Sequence, residues 1–205
     1  MKRAFIALVL VLVAVLAVGT SCDSNEVNVP KAKGIDVDTP ALVKEKQAAG
    51  IADCTPGTAA PVSGGLPAQT LPCFGGGPDV DLATLRGPML VSLWAYWCTQ
   101  CRDEIPILQR FYDKYADQVA LLGIDYLDPQ TGGAMALLRE KGATYPSVAD
   151  PYGDLSAQKP FPVLRGLPYL AFVDADGQVT YLKPGAVASD QELVDLVEQH
   201  LGVTL

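Results

Sequence analysis

The residues in this chain best suited to covalent chemistry are two cysteines separated by two residues, Cys98 and Cys101 in Trp97-Cys98-Thr99-Gln100-Cys101. A CxxC is either half of a zinc site or a redox pair. Structural zinc takes four ligands. The chain has no second CxxC, and its single histidine, His200, lies near the C-terminus. The surroundings favour redox chemistry. Met89 to Ala95 (MLVSLWA) is a short apolar run of the kind that forms a strand buried on both faces. Residues 99–116 follow with helical spacing, placing Ile105, Leu108, Phe111, Tyr112 and Tyr115 along one side. Cys98 therefore sits where a strand ends and a helix opens. The helix N-terminus favours a thiolate there and lowers the thiol pKa. Disulfide exchange needs one thiolate to attack and a second thiol to resolve the mixed disulfide. The i, i+3 spacing puts Cys101 one helical turn on, facing Cys98. That chemistry requires no dissociable cofactor, and no metal is expected.

The elements that must position this pair can be read along the chain. Val119 to Ile124 (VALLGI) reads as a second buried strand, and residues 129–141 as a helix closing on Gly142. Tyr145 to Ala149 reads as a brief extended piece. Tyr169 to Val173 and Gln178 to Leu182 flank Asp174-Ala175-Asp176-Gly177, a hairpin signal. Ser189-Asp190-Gln191-Glu192 has the capping-box pattern and opens a last helix to about Leu201. Ahead of this core, Thr39-Pro40 opens a short helix that Gly50 ends. Residues 53–79 are rich in Gly and Pro, with a short edge strand at 69–72. The order of strands and helices implies an α/β fold with a mixed central sheet and helices on both faces.

The N-terminus points to export. Lys2 and Arg3 precede an unbroken apolar run from Ala4 to Val18. Its 15 residues are short of the ~20 that a spanning helix wants, so the run fits the apolar core of an export signal. Cys22, directly after Gly19-Thr20-Ser21, resembles the lipid-accepting cysteine of a bacterial lipoprotein signal, although Gly19 stands where a leucine-like residue is usual. An uncleaved anchor helix and a plain secretory cleavage are the alternatives, and all three export the domain. Removing residues 1–21 takes away Lys2, Arg3 and no acid, so the net charge goes from −8 to −10. No basic patch remains for nucleic acid. The resulting division is 1–21 as signal peptide or anchor, 22–65 as tether and N-terminal extension, and 66–205 as the main domain.

There are five cysteines. Disulfides persist outside the cytoplasm. With Cys22 as the lipid site and Cys98 with Cys101 as the redox pair, Cys54 and Cys73 are left to form a structural disulfide. Two buried free thiols are the alternative.

The segment from Leu90 to Pro106, with its WCxxC and the helix proline Pro106, resembles the thioredoxin-like proteins of the TlpA/ResA type. Gly166-Leu167-Pro168-Tyr169 before the strand AFVDADG belongs to the same pattern, and the likeness covers about residues 66–202. The resemblance implies a thioredoxin-like fold with a TlpA-type insertion over about 143–165. It also implies an extracytoplasmic oxidoreductase, tethered at the outer face of the cell membrane, that exchanges disulfides with exported client proteins and a membrane redox partner. Cys98 would attack and Cys101 resolve, with Trp97 packed beside them. Leu167 and a cis Pro168 would hold the extended substrate chain. Glu104, at a position where ResA-like members carry an acid, would tune the pair and assist proton transfer; an acid that matches the helix dipole is the plainer alternative. Thioredoxins proper carry a buried aspartate six residues before the first cysteine, where this chain has Ser92. Thr99-Gln100 carries no charge to stabilise a thiolate, so the direction of electron flow stays open. A reductant in cytochrome c maturation and a disulfide-forming oxidase of DsbE type are both compatible. The rival from another class is a Sco-like copper-binding chaperone, which resembles CxxxC with a distant histidine. A peroxiredoxin would need a PxxxTxxC context that the chain lacks.

Overall fold

The computed structural model describes residues 34–162, 164 and 166–205. The export segment 1–21 and Cys22 lie outside the described residues. No helix among the described residues is long and apolar enough to cross a membrane.

Five strands form the central sheet: β3 (Met89–Trp94), β4 (Ala120–Tyr126), β5 (Ser147–Asp150), β6 (Tyr169–Val173) and β7 (Val179–Pro184). Their order across the sheet is β5-β4-β3-β6-β7. β3, β4 and β5 run parallel, and β6 and β7 are antiparallel additions on the other side of β3. Central β3 is buried at all six positions, as an apolar run without alternation requires. The hairpin signal joins β6 to β7, where Asp174 Oδ1 accepts from the Asp176 and Gln178 N–H groups.

Among the described residues four α-helices accompany the sheet: α1 (Pro40–Ala49), α2 (Thr99–Tyr115), α3 (Thr131–Lys141) and α4 (Asp190–Leu201). Both faces are covered, but unequally. Leu90 and Trp94 of β3 share one core with Ile105 and Leu108 of α2, Met135 and Leu138 of α3, and Leu193 and Val197 of α4. Leu42 of α1 joins the same core. Val91 and Leu93 face a second core closed by Leu66, Leu82, Leu155 and Phe161, which come from irregular segments and one 3-10 turn at Leu82–Thr84. The physical reason is handedness. β3, β4 and β5 step in one direction across the sheet, so right-handed crossovers place α2 and α3 on the same face.

The second face is closed largely by the N-terminal extension. β1 (Thr70–Leu71) pairs antiparallel with β2 (Val80–Asp81), and Cys73 bridges to Val148 at the sheet edge. The expected tether reaches the described residues at 34–38, where Val37 is already buried. The expected insertion over 143–165 divides into edge strand β5 and a turn region that buries Leu155 and Phe161.

Cys54 and Cys73 are disulfide-bonded, 5.8 Å apart at Cα. Lys46 on α1 is buried and ends beside this bridge. Its Nζ lies 3.3 Å from Cys73 Sγ, donates to Gly76 O at 2.6 Å and pairs with Asp53 at 2.9 Å. The bridge closes a loop of sequence separation 19. Replacing both cysteines by alanine is expected to cost about 3 kcal/mol in the chain-entropy account. The urea midpoint should fall accordingly while Cys98 chemistry persists; an unchanged midpoint would show that the bridge adds nothing.

Candidate functional site

The site begins where β3 ends. After Trp94 the chain leaves the sheet through Ala95, Tyr96 and Trp97, and Cys98 caps α2. Cys98 and Cys101 are joined as a disulfide, 5.3 Å apart at Cα. Cys98 Sγ also accepts from the Cys101 N–H at 3.1 Å, so a sulfur occupies the N-cap acceptor position. An anion at this place receives the free N–H groups of the first helical turn. The two residues differ in access: Cys98 retains 5 % exposure and Cys101 none. Of the pair, only Cys98 can meet another molecule without rearrangement.

The loop that delivers Cys98 is held from several sides. Cys98 N–H donates to Ala95 O at 3.1 Å. Tyr96 N–H donates to Asp128 Oδ2 at 2.6 Å. The Tyr96 carbonyl accepts from Arg102 Nε and Nη2 at 3.2 and 2.8 Å, and the same guanidinium lies over the Tyr96 ring at 4.7 Å. Trp97 donates its indole N–H to Leu127 O at 3.1 Å. Trp97 and Leu127 are each 47 % exposed, an apolar lip beside the disulfide, so Trp97 sits on the surface rather than in the core.

Glu104 lies one turn beyond Cys101 on the buried side of α2, 1 % exposed. Its Oε1 accepts from the Val187 N–H at 3.0 Å, which ties α2 to the segment after β7. Its Oε2 has no hydrogen-bond partner among the described residues. Burial pushes this carboxyl up to about 7; the Val187 N–H, the Lys183 ammonium and the Ser92 hydroxyl hold it down, and Glu192 pushes it further up. Ser92, fully buried on β3, faces the carboxylate without meeting hydrogen-bond geometry. Glu104 also helps burial to raise the Tyr145 hydroxyl. A buried carboxyl that titrates near neutrality, next to the helix turn that carries the cysteines, is equipped to take and return a proton. Asp103 is exposed.

Leu167-Pro168 is a cis peptide at the head of β6. Tyr169 pairs with Leu93, so this bond stands at the same end of the sheet as the exit of β3. Leu167 packs against the core that contains both cysteines, and Pro168 O accepts from the Gly185 N–H at 2.9 Å. Cys54 and Cys73 belong to the second face's cover and not to this site. His200 stacks on Tyr181 at 4.0 Å. Among the described residues no three His, Cys, Asp or Glu side chains cluster in a way that could hold a metal. A cavity of about 600 Å³ lies between the 55–59 segment and Met89, Tyr112 and Leu121; neither Cys98 nor Cys101 lines it.

Asp125 and Asp128 escaped the sequence reading. Both are buried, and the strand VALLGI was ended one residue before Asp125. The signal available was an acid continuing an apolar strand without a break in spacing.

Comparison with known proteins agrees with this geometry. The AhpC/TSA family matches residues 63–182, a span that includes Cys73, Cys98, Cys101, Glu104 and Pro168. The thiol:disulfide interchange protein DsbE of Pseudomonas fluorescens biotype C is 32% identical over 115 residues, 56% of this chain and 61% of that protein. The thiol:disulfide interchange protein CycY of Rhizobium leguminosarum bv. viciae is 30% identical over 130 residues, 61% of this chain and 67% of that protein. The chain thus spans about two thirds or less of these two relatives' own length. Among solved structures, a secreted Mycobacterium tuberculosis disulfide oxidoreductase homologous to E. coli DsbE superposes with a TM-score of 0.55 at 25% identity. That match covers 64% of this chain and 96% of the other.

Proposed function

The chain belongs to the AhpC/TSA family, and we propose that it is an extracytoplasmic thiol–disulfide oxidoreductase exchanging disulfides with exported proteins through Cys98 and Cys101. The observation that carries this reading is the asymmetry of the pair. Cys98 caps a helix and is reachable, while Cys101 is sealed one turn below. In the reduced protein the Cys98 thiolate attacks a client disulfide and forms a mixed disulfide, releasing one client thiolate. The Cys101 thiol loses its proton and attacks Cys98 Sγ, which restores the intramolecular disulfide and frees the second client thiolate. Glu104 accepts the Cys101 proton. In the reverse direction the same steps oxidise a client dithiol. Leu167 and Pro168 present the edge along which the client chain lies, and Trp97 with Leu127 gives it an apolar border.

Residues 1–21 export the chain, and lipid on Cys22 tethers it to the outer face of the cell membrane, where a membrane redox partner resets the pair. A role as a reductant in cytochrome c maturation fits the interchange proteins the chain resembles; a disulfide-forming oxidase is the second reading, since the neutral Thr99-Gln100 interior favours neither direction. The reduction potential of the Cys98/Cys101 couple separates them. A value near about −270 mV marks a reductant and one near about −120 mV an oxidant. A pair that glutathione buffers cannot titrate between those limits would remove the redox reading. Mass spectrometry of the mature N-terminus tests Cys22: a lipid-modified Cys22 at the new terminus is expected, and an intact Met1 or a free cysteine would exclude the lipid tether.

A further inference from the structure

Asp125, the last residue but one of the buried run of β4, is in register with Trp94, the last residue of β3 before the redox loop. It is 1 % exposed, and among the described residues neither of its oxygens receives a hydrogen bond from an N–H or hydroxyl group. Asp128, three residues on and fully buried, is the opposite case. Its Oδ2 accepts from the Tyr96 N–H at 2.6 Å and its Oδ1 from the Gln130 N–H at 2.8 Å. Asp128 therefore joins two segments. One leads into Cys98, and the other opens α3.

We propose that Asp128 is a positioning residue that fixes the Ala95–Cys98 loop, and that a proton carried by Asp125 keeps the Asp128 carboxylate in place. The proposal deepens the redox reading of Cys98 and Cys101 and rests on it.

A carboxylate serves two N–H donors at once because both of its oxygens accept. An asparagine offers one acceptor and turns an N–H toward the other donor, so one of the two bonds is lost. Asp125 explains why the carboxylate stays where it is. As a second buried anion beside Asp128 it would be repelled and unpaired. As a neutral acid it carries a hydrogen that Asp128, three residues on and equally buried, can accept. Burial first, then the Asp128 charge and their shared hydrogen bond, hold Asp125 well above the usual carboxylate range. The ionisable groups of the surrounding elements are engaged elsewhere. Glu104 of α2 is bound to Val187, and Arg102 to Tyr96. Arg139 of α3 pairs with Glu45, and Lys141 with Glu140. Asp150 of β5 accepts from the Asp154 and Leu155 N–H groups. Asp128 is the charge that acts on Asp125.

The test is hydrogen exchange of the Tyr96 amide in the full oxidised chain, followed from pH 5 to 10 and corrected for intrinsic exchange. Wild type, Asp128→Asn and Asp125→Asn are compared. At pH 6, with the Gln130 amide followed alongside, whichever of the Tyr96 and Gln130 amides loses its bond in Asp128→Asn should exchange at least about tenfold faster than in wild type, since a hydrogen bond to a charged acceptor is lost. Asp125→Asn, permanently neutral and still a donor, should stay within about twofold of wild type. As the pH rises, wild-type protection should fall when Asp125 loses its proton, and the Asp125→Asn profile should remain flat. Unchanged exchange of both the Tyr96 and the Gln130 amide in Asp128→Asn would overturn the positioning role. Coincident wild-type and Asp125→Asn profiles would overturn the role of the Asp125 proton, and this comparison stands even if Asp128→Asn does not fold. In insulin reduction, kcat/KM of Asp128→Asn should fall by about tenfold. Failure of the redox reading is distinguishable, because it would leave insulin reduction insensitive to Cys98→Ala while the amide measurement, which needs no activity, is untouched.

Discussion

Replacing Cys98 by alanine should abolish catalysed insulin reduction, leaving the rate of the dithiol reductant alone, a loss on the order of 10³-fold or more. The size follows from the site. Cys98 is the one residue of the pair with any exposure, and its acceptor position over the first turn of α2 is where a thiolate is stabilised. Cys101 is sealed and cannot take over the attack. The fold should be unaffected, because the alanine leaves the Ala95 and Tyr96 contacts of the loop in place and the Cys54–Cys73 bridge lies on the other face. Retained activity in Cys98→Ala would move the chemistry elsewhere.

The second large effect is a pH dependence set by Glu104. Its folded pKa, about 7, is raised from 4.5. For a raised group the native state holds the proton more tightly than the unfolded chain. The stability it permits is complete below pH 4.5 and is lost as pH rises toward 7, with no further loss above. Converted at 1.36 kcal/mol per pH unit, that loss is about 3 kcal/mol. Glu104→Gln keeps an oxygen for the Val187 N–H and cannot ionise. The variant should therefore be more stable than wild type by a few kcal/mol at pH 8 and similar at pH 4.5, measured by urea unfolding. Asp125 is shifted in the same direction and leaves part of the slope in place. Activity should move the opposite way. Loss of a proton acceptor beside Cys101 should slow exchange by about a hundredfold near neutral pH. A Glu104→Gln protein with wild-type rates and an unchanged stability profile would reduce Glu104 to a packing residue.

Much of the molecule was legible because its signals are local. The MLVSLWA run, the cap at Ser189 and the Asp174–Gly177 turn each specify a strand, a helix start or a hairpin from a few neighbours, and each lies where expected. The CxxC and the residues flanking Pro168 are local signals of the same kind, and they lie at one end of the sheet. What was hidden depends on topology. The unequal cover of the two faces follows from the direction in which β3, β4 and β5 step, which strand patterns do not encode. Asp125 and Asp128 carry no local signal of their depth, because Asp125 is covered through its pairing with β3 and Asp128 through the Tyr96 segment, about 30 residues earlier in the chain. The depth of Glu104 was likewise invisible, since its partner Val187 is brought by the segment after β7.

The redox role of Cys98 is tested most directly by trapping. In Cys101→Ala the attacking sulfur is intact and the resolving one is gone, so exchange should stop at the mixed disulfide. Incubating the reduced variant with a disulfide-bonded client, then quenching with acid and analysing by non-reducing mass spectrometry, should show a stoichiometric adduct on Cys98 that dithiothreitol releases. Absence of an adduct, or an adduct carried on Cys54 or Cys73, would contradict the assignment of Cys98 as the attacking thiol.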